Sequence, residues 1–309
     1  MFKRYIKIAL KIIVSAVFLF WVIFKVDWLS VLKYLESIKW QYLFLYVVVI
    51  LVGMIICAKK WKVLADYKEI KLGLFDFFKY YLAGTFINNF MPSFIGGDTF
   101  KAYETGKADG RYVEAASSVM MDRITGLFAA TILSIIFTLL NLKNVLEDKA
   151  LVVVNILVFA SFAVDIFIML IRNNRFWSRF KRFFPDKFTA FMIDLGSYSG
   201  PGGPIKKTIL WGFAFDFVGI ALANYILFYA LGLHIGLFDY LSVIFIISII
   251  ASVPLSINNI GIKEWAYITF FGAFGLDPAA VITVVIISRF VQMLLSFFAL
   301  PVYLRRNRQ

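Results

Sequence analysis

The chain has 309 residues, of which 61% are hydrophobic and 17% charged, and it carries a formal net charge of +13 at pH 7. With a mean hydropathy of +0.84, its apolar surface exceeds what one soluble core can bury, so the composition excludes a soluble globular domain and specifies a polytopic membrane protein. The Lys and Arg residues fall in short clusters between apolar runs and form no continuous stripe; this excludes nucleic acid as a partner and fits basic loops held in the cytoplasm.

The basic start of the chain resembles a signal sequence, but its apolar run continues for about 19 residues without a small-residue cleavage site, which predicts a retained span over 6–24. Residues 25–40, with Asp27, Lys33, Glu36, Lys39, Trp28 and Trp40, read as an amphipathic helix lying in the outer interface. A second span follows over 42–58. Region 74–110 is apolar but interrupted. Spans over 115–140 and 151–171 come next, then the polar stretch 172–206, a span over 208–230, a second interrupted region over 238–275 and a last span over 278–304. Each clear span approaches the ~20 residues that a bilayer requires. The fold class is therefore all-α, with about six full spans and two broken or re-entrant helical hairpins.

Basic clusters orient these segments. Lys3, Arg4, Lys7 and Lys11 precede the first span, and Lys59, Lys60 and Lys62 follow the second. Arg172 to Lys187, Lys206 with Lys207, and Arg305, Arg306 and Arg308 complete the set. Placing all of them in the cytoplasm puts both termini inside the cell membrane. Two clear spans then separate one pair of inside clusters on each side of the polar stretch, so each interrupted region must cross an even number of times. The first enters from the cytoplasm and the second from outside, an arrangement of inverted repeats that meets at the midplane.

The two regions also share a pattern. Leu74-Phe75-Asp76 leads through Asn88, Asn89 and Pro92 to Gly96-Gly97-Asp98, Lys101 and then Asp122-Arg123. Leu237-Phe238-Asp239 leads through Pro254, Asn258 and Asn259 to Gly261, Lys263, Glu264 and then Arg289. The division expected is 1–73 for the N-terminal spans with the interfacial helix, 74–171 for a first repeat, 172–206 for a cytoplasmic linker and 207–309 for a second repeat, all within one membrane domain. Prolines and paired asparagines at membrane depth imply a watery cavity, because irregular backbone there needs partners.

Charges at the bilayer centre cost about 2.5–3.5 kcal/mol on insertion scales, so those retained face a cavity or a partner. Asp98, Lys101, Asp122, Arg123, Lys263, Glu264 and Arg289 are the candidates for binding substrate. Each has a structural alternative: Arg123 and Arg289 as cations paired with Asp122 and Glu264, Asp98 as a helix cap, and Lys101 and Lys263 reaching toward headgroups. Asp165 and Asp216 stand alone within apolar spans and read as structural hydrogen-bonding groups. The one cysteine, Cys57, excludes an intrachain disulfide and any CxxC site. No nucleophile with its base, no metal-ligand cluster and no phosphate loop of the GxxxxGK[ST] type stands in the sequence, so no catalytic residue, metal or cofactor is expected.

These motifs resemble the flippase-like family also called the lysylphosphatidylglycerol synthase transmembrane region. The resemblance is carried by Asn88-Asn89 with Pro92 and Gly96-Gly97-Asp98, by Ser118 to Asp122-Arg123-Ile124-Thr125-Gly126-Leu127, and by Ser252-Val253-Pro254 with Gly261 and Glu264. It covers essentially the whole chain. Lys101 and Lys263 stand where the family often has arginine, and Asn259 where glycine is usual. The resemblance implies a lipid transporter in which Asp98, Arg123 and Glu264 take part in translocation, without the soluble synthase domain, since the sequence stops at Gln309 just after the last span. The expected partners are a phospholipid or polyprenyl-phosphate lipid, a second copy of the chain and a separate lipid-modifying enzyme. In that reading the cations hold phosphate, the acids hold a cationic headgroup or a proton, and Glu264 is the candidate coupling acid. The alternative function is a membrane-embedded enzyme acting on a lipid-linked phosphate; a scaffold is the third reading.

Overall fold

A computed structural model describes residues 2–90, 95–171, 186–200, 202–253 and 256–300. Helices account for the regular structure, and no strand occurs among the described residues. Backbone groups in lipid have no water to bond, and a helix satisfies them within one segment.

Helix α1 (Phe2–Lys25) turns through 79° into α2 (Trp28–Glu36). The turn is set by Asp27, whose carboxylate accepts the Leu29 amide at 3.1 Å and the Ser30 hydroxyl at 2.7 Å. The Ser30 hydroxyl holds the Asp27 carboxyl below its ordinary range. The helix expected over 25–40 is thus present. Helix α3 (Trp40–Tyr67) follows, then α4 (Leu74–Phe90) and α5 (Ile95–Asp109), which occupy the first interrupted region. Next come α6 (Tyr112–Leu140), α7 (Leu142–Glu147), α8 (Lys149–Ile171) and α9 (Asp186–Ser197).

Helix α10 (Ile205–Phe215) passes without a break through a π-helical segment, Asp216–Leu222, into α11 (Ala223–Ala230). The second interrupted region holds α12 (Leu237–Ser252), a 3-10 turn (Ile257–Asn259) and α13 (Ile262–Gly272). Helix α14 (Pro278–Phe297) starts on Asp277, which accepts the Ala279 amide at 3.1 Å, with proline at the first turn where its missing N–H costs nothing. Four helices among the described residues, α3, α6, α10 to α11 and α14, are long and apolar enough to cross a membrane, or five if α1 and α2 count as one bent span.

The core gathers on α12 and α14. Tyr240, Val243, Phe245 and Ile246 on α12 and Val281, Val284 and Val285 on α14 are fully sealed. Helix α12 packs on α6, and α3 packs on α4 and on the rod from α10 to α11. Phe20, Phe24, Trp40, Phe44, Leu140 and Phe298 point outward. Large apolar side chains are exposed at this density only where lipid covers them.

One end of the bundle is tied together by polar contacts. Lys68, just after α3, pairs with Asp194 on α9, donates to the Ser197 hydroxyl at 2.7 Å and stands over the Tyr198 ring at 4.6 Å. Ser117 on α6 donates to the same Asp194, and Arg111 donates to the Lys68 carbonyl at 2.9 Å. Part of the expected linker is therefore a helix docked on α3 and α6. The basic run Arg172 to Arg182 and the C-terminal arginines lie outside the described residues.

Candidate functional site

The first hairpin closes because Gly97 lets α5 approach α4. The Gly97 amide donates to Asn88 Oδ1 at 2.8 Å, and a Cβ at Gly97 would lie 2.3 Å from the Gly84 carbonyl oxygen. Gly97→Ala is expected to cost about 1–3 kcal/mol, the usual penalty for overpacking a tight contact. Thermal unfolding in detergent measures it, and a melting temperature equal to wild type would show the contact to be loose. Gly96 precedes it in the first turn of α5.

Just past this turn, Asp98 collects two cations. Lys101, one turn on, approaches at 2.9 Å, and Arg123 Nε on α6 donates to the other carboxylate oxygen at 2.8 Å. Lys101 is buried, with its ammonium 5.3 Å from the Trp61 ring and 5.5 Å from the Tyr81 ring. Arg123 keeps 40% of its side chain exposed. The acid partner of Arg123 is thus Asp98, while Asp122 turns away and pairs with Lys60 at 3.2 Å. Lys60 also donates to the Asp122 carbonyl at 2.8 Å. Lys60, expected in a cytoplasmic basic cluster, is instead 3% exposed, sealed where α3 meets α6.

The second hairpin repeats the first motif with a different turn. Arg289 Nε donates to Glu264 Oε1 at 2.6 Å, and the two residues are 25 apart in sequence, the same separation as Asp98 and Arg123. Glu264 Oε2 accepts the Gly261 amide at 2.7 Å, so both carboxylate oxygens are engaged. The guanidinium also donates to the carbonyls of Asn258 at 3.0 Å and Asn259 at 2.9 Å. These two asparagines adopt φ of 48° and 54°, and Gly261 has φ of 87°, where a side chain would strain the backbone. Arg289 is the clamp on that left-handed turn. Arg289→Lys loses the planar fork that reaches both carbonyls and is expected to destabilise the fold by about 1.5–3 kcal/mol. Denaturant unfolding reads this out, and an unchanged midpoint would refute the clamp.

The two hairpins meet. Asn258 Nδ2 donates to Asn89 Oδ1 at 3.4 Å, and Asn89 Nδ2 donates to the Ser296 hydroxyl at 3.0 Å. Around this junction lies a cavity of about 420 Å3, walled by α3, α4, the π segment, α12, α13 and α14. Of the charged residues expected to bind substrate, Lys263 and Arg289 line it, together with Asn89, Asn258 and Asn259; Asp98, Lys101, Asp122, Arg123 and Glu264 stand outside its lining. Thr85, Asn224, Ser248 and Gln292 add polar groups to a wall otherwise built of residues such as Ile50, Met54, Ile244 and Met293. Lys263 has its ammonium 5.6 Å from the Tyr267 ring and forms no ion pair among the described residues. Pro92 and Pro254 lie outside the described residues, as does the Asp165 side chain.

A family model described as Lysylphosphatidylglycerol synthase TM region matches residues 8–299. The chain belongs to that family. Comparison with curated proteins and with solved structures returns no match. As a member of the lysylphosphatidylglycerol synthase TM region family, the chain is a multi-pass membrane protein involved in lipid handling.

Helix α3 links the two halves of this family member. Its Lys60 reaches Asp122, and its Tyr46 donates to Ser288 at 3.2 Å, with Gln292 donating to the same hydroxyl at 3.0 Å. Asp122 and Ser288 each directly precede the arginine of their half. Sequence reading missed Lys60 because it stood in a run of lysines. Gly126, one turn beyond Asp122, leaves room for it: a Cβ there would sit 2.7 Å from the Lys60 ammonium.

Proposed function

We propose that the protein moves a phosphate-bearing lipid between leaflets of the cell membrane and leaves it chemically unchanged. The observation that carries this reading is the cavity at the junction of the two hairpins, which holds one cation, Lys263, without an acid partner among the described residues. A volume of about 420 Å3 suits a headgroup, at the lower end of the ~300–1,000 Å3 range of small-molecule sites. The acyl or prenyl tails stay in the bilayer. Lys263 takes the phosphate as a point charge, while Arg289 fixes the turn that presents Asn258 and Asn259.

The equal spacing of the Asp98–Arg123 and Glu264–Arg289 pairs supports two halves related as inverted repeats, the arrangement that lets one hairpin close as the other opens. Moving one net charge across 100 mV is worth about 2.3 kcal/mol. A lipid of net charge −1 therefore moves outward downhill in an inside-negative cell, whereas a cationic lipid moving outward needs proton coupling or a concentration gradient.

The test uses purified protein in liposomes containing a headgroup-labelled phospholipid and an impermeant reductant that bleaches only the outer leaflet. Wild type is expected to bring inner-leaflet lipid to the reductant, and mass analysis is expected to recover the unbleached lipid unaltered. Bleaching that stops at the outer leaflet, or a chemically converted lipid, would reject the reading.

A further inference from the structure

Asp216 is an acid that neither the cavity nor the ion pairs above use. It opens the π-helical segment, is 3% exposed, and its Oδ2 is sealed from solvent without a hydrogen-bond partner among the described residues. The expected structural hydrogen bond is therefore missing on that oxygen. The charged group that acts on Asp216 is Lys60, whose ammonium is already held by the Asp122 carboxylate and carbonyl.

Among the described residues, the other elements packed on the segment bring no further charge to it. Helix α3 adds the buried thiol of Cys57, one turn before Lys60. Helix α12 adds Tyr240, whose hydroxyl is spent on the Ala221 carbonyl at 2.7 Å. Helix α11 offers Asn224, which is neutral, and Lys206 and Lys207 are exposed at the start of α10. Asp216 thus has no ion-pair partner of its own among the described residues, and the cation that acts on it is already paired with Asp122. Burying an uncompensated charge is costly, so the site calls for one more positive charge. A metal ion would need several acidic or imidazole ligands, and no group of three such residues occurs among the described residues.

We propose that Asp216 is a proton-carrying site that couples proton movement to the cavity. This rests on the transport reading above. With Asp216 protonated, Lys60 stays with Asp122. When the proton leaves, Lys60 is shared between two carboxylates, and the cheapest adjustment moves α3 and the π segment relative to α6. That segment also forms cavity wall through Gly219 and Ile220, and Gly53 of α3 crosses it at Gly219, where a Cβ on Gly53 would lie 2.6 Å from the Gly219 Cα. Single π turns inside helices are uncommon and recur at functional sites because they can migrate by one residue. By helical rise, Lys60 lies about 10 Å from the α3 end, Asp122 about 15 Å from the start of α6, and Asp216 about 16 Å from the start of α10. Lys60 and Asp122 are in contact well inside their helices, away from the end that Lys68 and Asp194 tie together.

Two measurements decide it. In the first, wild-type protein carrying carboxyl-isotope-labelled aspartate is expected to show an infrared band of a protonated aspartate at neutral pH, and Asp216→Asn to lack it. Absence of the band in wild type, or its persistence in the variant, overturns the proposal whether or not the protein transports lipid. In the second, an imposed pH gradient is expected to change the lipid flux of wild-type proteoliposomes about tenfold, a usual size for coupling between two sites. Asp216→Asn should move lipid at one rate with or without the gradient, while Asp216→Glu keeps the response. Gradient-independent flux in wild type, or a gradient response retained in Asp216→Asn, overturns the coupling through Asp216 and leaves the transport reading standing. A wild type that moves no lipid under any gradient overturns the transport reading and, with it, the coupling, while the infrared result still decides whether Asp216 holds a proton.

Discussion

Lys263→Gln is expected to slow lipid movement in proteoliposomes by roughly ten- to a hundredfold, the equivalent of losing one charge-assisted hydrogen bond of about 1.5–3 kcal/mol. The reason lies in how the cations are spent. Arg289 lines the same cavity, but its charge is paired with Glu264 and three of its five N–H donors go to Glu264, Asn258 and Asn259. Lys101 is held by Asp98 between two aromatic rings, and Lys60 by Asp122. Lys263 alone among these lines the cavity with no acid partner among the described residues. Lys263→Arg keeps the charge and is expected to retain most of the rate. Both variants should elute and melt like wild type, because no ion pair is broken. A glutamine variant that transports at the wild-type rate would remove Lys263 from the site.

The largest effect on stability is expected at Lys60→Met. The substitution leaves the Asp122 carboxylate, whose side chain is 9% exposed, without its cation. Breaking a buried pair from one side costs about 3–5 kcal/mol, whereas replacing both partners by apolar groups is often near neutral. Equilibrium unfolding in mixed micelles should therefore show a large loss for Lys60→Met and recovery of most of it in Lys60→Met with Asp122→Leu. A single variant within about 1 kcal/mol of wild type, the size of an exposed pair, would mean that water reaches this site.

Much of the fold could be read in advance, because apolar runs and basic clusters follow directly from the bilayer as solvent. The turn around Asn258 and Asn259 lies where asparagine and glycine marked it, and the helix over 28–36 where the charges and tryptophans of 25–40 did. The partners of the charges were harder to foresee. Asp122 and Arg123 are adjacent in sequence, yet neighbours on a helix point 100° apart, so they cannot share a partner easily; the spacing of 25 residues from Asp98 to Arg123 and from Glu264 to Arg289 was the better guide. Lys60 was hidden by its own neighbours, since Lys59 and Lys62 satisfy the charge rule for that end of α3 and nothing in composition separates the three. The π segment was not legible at all. Its sequence Asp-Phe-Val-Gly-Ile-Ala-Leu suits an ordinary helix, and the wider turn is imposed by packing against α3 at Gly53.

Whether a phosphate headgroup occupies the cavity between the hairpins is decided by a structure solved in nanodiscs of native membrane. Headgroup density is expected in that cavity with a phosphate oxygen about 2.7–2.9 Å from the Lys263 ammonium, the distance of a charge-assisted hydrogen bond, and with tails leaving toward the bilayer. A cavity holding only water, or headgroup density seated instead on Arg123 and Asp98, would contradict it.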